Sequence, residues 1–357
     1  MVDKDGNALS NAVAGAMCWC PITNLDTADE AYEWNMGQYV HENGTFSCIL
    51  SDDLSAEYAD YINKLGLKDP NGTVLTLEES DSGVYTSGSY YDYMLSITEE
   101  SLNNFLNDTT FPYTPSGNNN MGAGMPSGNI ADGNGPVGDM SGQSDDSSSY
   151  ESAQEYIDSL NDNGTWIEYD ASSNTAKITS IEDFVKHCKN PSKSVGAFDD
   201  LNRSQAENSL FGVDANSSSH FDKALSDLLN NNREKYSKYS GYSSSYAGEY
   251  ADDLKQKDSE NNTVETRVNM YNPMYYLCDY YDGAGSSDVA KYWRINTGIE
   301  QGDTSQCVDV NLYLGVLNKA DKDNVEFSTV WSQGHTQAER TCNSTGNFIN
   351  WVNGCLN

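Results

Sequence analysis

The sequence predicts an α/β protein with a parallel sheet, and three observations carry that expectation. A short apolar run, AVAGAMCWCPI at 12–22, is closed by proline and has the continuity of a strand buried on both faces. The last quarter of the chain alternates strand-like and helix-like patterns, the order of a βαβ unit, whose strands must run parallel. Between these ends lies a long stretch of mostly helical periodicity, so the chain starts and finishes in α/β pattern around an insertion.

The elements follow in order. After the first strand, Thr23-Asn24-Leu25-Asp26 opens a helix that runs through Trp34. Ser51 is placed to cap a second helix, in which Leu54, Tyr58, Tyr61, Ile62 and Leu65 share one face and Gly66 marks the end. Residues 89–107 read as a third helix, with Tyr93, Ile97 and Leu102 turned inward. From 114 to 149 the chain is almost all Gly, Ser, Asn, Asp, Met and Pro. It holds too little apolar surface to offset its ordering entropy and is expected to be a disordered loop. Ser237 to Gly248 is Ser/Tyr-rich and expected to be exposed. In the last quarter Tyr292 to Thr297 is a strand, and Ser305 caps a helix carrying Val308, Leu312 and Val316 at i, i+4 and i+8. Val325 to Trp331 is the next strand, and Phe348, Trp351, Val352 and Cys355 mark a final helix. The division expected is an α/β core from 1–27 and 284–357, with 28–283 inserted between.

Composition excludes several functions. With 54 acidic against 20 basic residues the net charge is −34, which argues against nucleic acid or anionic lipid as partner, since phosphate binding needs clustered Lys and Arg. No run of about 18 apolar residues is present, so no membrane span is expected. The start, MVDKDGNALS, has no apolar core segment and does not read as a signal peptide. None of the eight cysteines forms a CxxC pair, which argues against zinc. Cys18 and Cys20, alternating in an apolar run, read as two buried thiols on one face of a strand.

One constellation carries chemistry. In a parallel sheet the loops after the strand carboxyl ends face one edge, where active sites gather. Two such loops follow the last two strands: Gly298-Ile299-Glu300-Gln301-Gly302-Asp303 and Gly334-His335. Asp303 and His335 are thus expected to meet. A carboxylate on one imidazole nitrogen fixes the tautomer and frees the other nitrogen as a general base. On spacing alone, a histidine at a strand end is more often a surface residue.

Seven collinear blocks give the constellation a context. They are MCWCPITNLD (17–26), AYEW (31–34), AFDDL (197–201), ENSLFG (207–212), NPMYYL (272–277), YWRINTG (292–298) and QGHTQAERT (333–341). Together they resemble the bacterial tannase and feruloyl-esterase-like branch of the α/β-hydrolases, and span nearly the whole chain apart from the low-complexity loop. The resemblance implies a carboxylic ester hydrolase working through an acyl-enzyme, without metal or organic cofactor, with the mostly helical insertion as a lid. It implies His335 as general base and Asp303 as the acid that orients it, with Glu300 as a substitute. It also implies Ile22 as a residue lining the acyl pocket. Many relatives read Asp-Arg-Asp-Thr where this chain has Gln301-Gly302-Asp303-Thr304; if the family acid is the first of those, Gln301 stands in its place.

The nucleophile motif G-x-S-x-G occurs nowhere in the chain. By resemblance it sits upstream of the strand at 12–22. The chain is therefore expected to be the C-terminal portion of a longer hydrolase, inactive alone and completed by an N-terminal half, with a small phenolic or galloyl ester as substrate. The competing expectation is a non-catalytic binding module on the same fold. Composition leans toward an extracellular or cell-surface bacterial protein.

Overall fold

The structure is a computed structural model that describes residues 4, 6–7, 12–81, 84–115, 149–189 and 191–356. Most of the segment expected to be disordered, 116–148, lies outside the described residues. The chain opens with β1 (Gly15–Trp19) and continues into α1 (Ala28–Asn35), α2 (Phe46–Leu65), α3 (Ser89–Asp108) and α4 (Ala153–Leu160). A hairpin of β2 (Ile167–Asp170) and β3 (Thr175–Ile178) follows. Seven short helices come next: α5 (Ile181–Phe184), α6 (Ala206–Leu210), α7 (Lys223–Asn231), α8 (Arg233–Tyr236), α9 (Tyr246–Asp253), α10 (Val264–Met270) and α11 (Pro273–Leu277). The chain closes through β4 (Tyr292–Gly298), α12 (Gln306–Leu317), β5 (Val325–Val330) and α13 (Ser344–Leu356).

The α/β expectation is borne out. β1, β4 and β5 form a parallel sheet in the order β1-β4-β5, with Cys18 opposite Ile295 and Ile295 opposite Phe327. All three strands therefore end on one edge. β4 is central and its last four residues are buried, while all five residues of β1 are only half-buried. That corrects one expectation: Cys20 is buried, but Cys18 is not, because among the described residues β1 pairs on one side alone.

Helix boundaries show which signals decide. α2 starts earlier than Ser51 implied, because Thr45 is extended and its hydroxyl accepts the Cys48 amide. Ser51 is instead buried inside the helix and donates to Glu33 Oε2 at 2.6 Å. Gly66 ends the helix in the left-handed conformation, φ 67°. α12 departs from the one-faced pattern: Val310 and Leu314 are buried as well as Val308, Leu312 and Val316. The sheet covers one side of it and α1 and α11 the other, so the helix is apolar almost all round. Its polar Asn311 is held inside, accepting from Tyr90 Oη at 2.7 Å and donating to Tyr58 Oη at 2.9 Å, which ties α12 to α2 and α3. One continuous apolar core thus runs from α1–α3 through the hairpin to β4, α12 and β5.

α13 forms as expected but buries none of its side chains fully. Trp351 rests against Gly15, where an added Cβ would lie 2.9 Å from the indole, while Phe348 and Ile349 stay 43% and 52% exposed.

Candidate active site

Three strand tips build the site. Cys20 directly follows β1 in a left-handed conformation, φ 47°. Its thiol donates to Thr336 O at 3.3 Å and accepts from the Gly298 amide at 3.3 Å, so it spans the tips of β4 and the loop after β5. Burial pushes this thiol upward, away from thiolate character. The loops after β4 and β5 are joined by backbone bonds, Ile299 N to Val330 O and Glu300 N to Gln333 O, both 3.1 Å. Gly298 is what lets them touch: a Cβ there would lie 2.0 Å from Gly334 O.

His335 sits on this rim, partly exposed, and its Nδ1 lies 2.7 Å from Gln301 Oε1. The amide orientation follows from the network. Gln301 Nε2 donates to Thr297 Oγ1 at 2.9 Å, and Oε1 also accepts from the Thr304 amide at 3.4 Å. Oε1 therefore faces His335 as an acceptor, which places the proton on Nδ1 and leaves the Nε2 lone pair available as a base. Gln301 is 3% exposed, so its geometry is fixed by packing as well as by these bonds.

The expected contact between Asp303 and His335 is not formed. Among the described residues no ion pair or hydrogen bond joins Asp303 to His335. Gln301 is buried, whereas Asp303, two residues on, is half-exposed. Glu300 is not the partner either: its Oε1 accepts the Ser332 amide at 2.9 Å and stitches the two loops. Burial pushes the Glu300 carboxyl up to about 7, opposed by that amide bond and by Lys189. Ile22 lies two residues past Cys20 and is 38% exposed, an apolar side chain held open beside the same strand tip.

Sequence reasoning missed Lys189. It is buried and donates to Ile299 O at 2.9 Å, pinning the loop that carries Gln301 from beneath. Burial lowers it to about 8. It also missed Glu339, whose carboxylate takes both Arg294 terminal nitrogens, at 2.7 and 2.8 Å, and Trp19 Nε1 at 2.9 Å. That cluster locks the far end of the histidine loop to β1 and β4. As for a nucleophile, among the described residues no hydroxyl or thiol hydrogen-bonds His335 Nε2. Ser332, in a left-handed conformation with φ 59°, faces Tyr113 Oη at 3.4 Å instead.

No family model and no curated protein matches the sequence. Solved structures do. A tannase from Fusobacterium nucleatum superposes with a TM-score of 0.61 at 23% identity, covering 99% of this chain and 61% of its own. The tannin acyl hydrolase from Lactobacillus plantarum gives 0.60 at 20% identity, covering 99% and 58%. A tannin acyl hydrolase in complex with ethyl gallate gives 0.61 at 20%, covering 98% and 57%. The resemblance read from the sequence blocks is thus borne out as a likeness of fold: the chain folds like the bacterial tannases over nearly its whole length and spans about 60% of theirs.

Proposed function

We propose that this chain is the base-bearing portion of a serine carboxylic ester hydrolase of tannase type, with a small phenolic ester as substrate. The observation that carries the reading is the Gln301 Oε1···His335 Nδ1 contact at the tips of adjacent parallel strands. In this reading a serine hydroxyl supplied by residues outside this sequence approaches Nε2. His335 takes the serine proton as Oγ attacks the ester carbonyl, then gives it to the departing alcohol. A water repeats the cycle on the acyl-enzyme. Gln301 holds the ring, Ile22 offers apolar contact to the acyl group, and the helical insertion acts as the lid over the rim. Asp303 is not required. The half-buried β1 and the open apolar face of α13 support a further segment packing against the sheet, which would hold the missing strands and nucleophile.

The amide in place of a carboxylate is the main departure from triad chemistry. It fixes the tautomer but lacks the charge that stabilises the imidazolium, an interaction on the order of 4 kcal/mol at 4 Å in a partly screened site. This favours the second reading, a binding module that keeps the fold without turnover. The DNA upstream of Met1 decides between them. An in-frame G-x-S-x-G about 40 residues before Ile22 supports the hydrolase, and the extended protein should then cleave ethyl gallate with at least a hundredfold loss in His335→Ala. A stop codon and promoter directly upstream, or turnover indifferent to His335→Ala, overturns it. The present chain alone is expected to show no turnover.

A further inference from the structure

A cavity of about 940 Å³ opens between the start of α1, the second half of α2, α7 and α10, far along the chain from the histidine loop and sharing no lining residue with it. It has the size of a small-ligand site. Its walls hold seven carboxylates and two lysines, and both lysines are already occupied, Lys64 by Asp60 and Lys223 by Asp227. Among the described residues the other five carboxylates, Asp26, Glu30, Glu57, Glu265 and Asp282, have no ion pair. Surface acidity alone would mean little in a chain of net charge −34. Glu30 is different. It lines the cavity yet is 1% exposed, and among the described residues neither of its carboxylate oxygens has a hydrogen-bond partner. Asp26 repeats the pattern on one side: Oδ2 accepts from Tyr281 Oη, while buried Oδ1 has no partner among the described residues.

Orphaned buried carboxylate oxygens cost several times what a satisfied group does, so they call for a donor. Burial, reinforced by Asp29, holds the Glu30 carboxyl well above its ordinary range, which is the state expected of a carboxylate whose counter-charge is absent. Part of the lining is aromatic. Tyr61 meets Tyr280 edge-on at 5.6 Å, and Tyr280 meets Tyr281 edge-on at 4.8 Å, presenting ring faces and hydroxyls together. Aromatic faces beside anions attract cations. Among the described residues no group of three metal-ligating side chains converges, which disfavours a metal ion.

We infer that this cavity binds an organic polyamine, with Glu30 and Asp26 accepting from its ammonium groups and Tyr61, Tyr280 and Tyr281 packing on its methylene chain. The N–H donors matter. A quaternary ammonium fills an aromatic cage but leaves the Glu30 oxygens as they are, whereas primary and secondary ammonium groups satisfy them. Several carboxylates around one cavity match several charges on one flexible chain. The inference stands apart from the esterase reading and does not depend on it.

The test is calorimetric titration of the full chain with spermidine at about 0.15 M salt, where diffuse surface attraction is screened. Saturable one-to-one binding is expected, at least tenfold weaker in Glu30→Gln and severalfold weaker in Tyr280→Ala, whose ring stands at the lip, 46% exposed. Glu168→Gln, an exposed acid in the β2–β3 hairpin that does not line the cavity, should bind as the parent does. Tetramethylammonium should bind at least tenfold more weakly than spermidine. If Glu30→Gln does not fold, Tyr280→Ala and Asp282→Asn decide. No saturable binding, equal binding by the cavity variants and the parent, or equal binding of tetramethylammonium overturns the inference.

Discussion

The two glycines of the rim provide a matched test of how the site is held. Gly298 ends β4 and Gly334 precedes His335. A Cβ on Gly298 would lie 2.0 Å from Gly334 O and 2.6 Å from Gln333 O, both backbone atoms that cannot rotate away. The loop after β5 must therefore retreat by at least about 1 Å. That carries the Glu300 N–Gln333 O contact at 3.1 Å and the Ser332 N–Glu300 Oε1 contact at 2.9 Å beyond hydrogen-bond range. Each lost bond removes about 1 kcal/mol, and forcing the methyl in adds about 1–3 kcal/mol. Gly298→Ala should thus destabilise the chain by roughly 3–5 kcal/mol. At Gly334 nothing lies within 4 Å of an added Cβ, and Gly334→Ala should stay within about 0.5 kcal/mol of the parent. Urea unfolding of the three proteins reads both, and amide exchange at 333–335 should rise in Gly298→Ala alone. Equal midpoints for the two alanine variants would refute the loop contact that positions His335.

Two further expectations follow from the buried charges. Asp309 in α12 is fully buried and lifted from 3.8 to about 8, by burial first, with Thr297 and Lys189 opposing. A carboxyl raised on folding is neutral in the native state and ionised in the unfolded one between those values. Its contribution to stability is therefore complete below about 4 and is lost as pH rises through about 8, at up to about 1.4 kcal/mol per pH unit. Asp309→Asn should flatten that dependence and be more stable than the parent at pH 8.5, read by thermal unfolding across pH; parallel curves would contradict it. Arg294 and Glu339 supply the second. Arg294→Ala strands the nearly buried Glu339 carboxylate and should cost about 3–5 kcal/mol. Glu326→Gln, which touches the same guanidinium from a position 61% exposed, should cost under about 1 kcal/mol. Similar losses in a urea melt would contradict this.

The parts legible in the sequence are those written as periodicity. β1, β4, β5 and the helices α1, α2, α3 and α12 follow from apolar runs and i, i+4 spacing, and the neighbourhood of the two loops follows from the parallel order of strands around α12. Which side chain of a loop turns inward is written in no period. Gln301 and Asp303 lie two residues apart, and chemistry favoured the carboxylate, while packing against Thr297 chose the amide. Ser51 illustrates the same limit. It has the residue type of a cap, but Thr45 six residues earlier has the extended backbone that capping requires. Lys189 and Glu30 were hidden for another reason: each owes its role to segments far away in the chain, Ile299 for one and α7 and α10 for the other.

The chain has four histidines, and two of the other three bond carboxylates, His41 to Glu33 and His220 to Asp199. Long-range proton–nitrogen correlation at about pH 8 therefore reads the His335 ring directly. The expected spectrum shows a protonated Nδ1 and an unprotonated Nε2 for His335, with the preference lost in Gln301→Leu. A protonated Nε2 in the parent chain, or an unchanged tautomer in the variant, would contradict the claim that Gln301 holds His335 as a base.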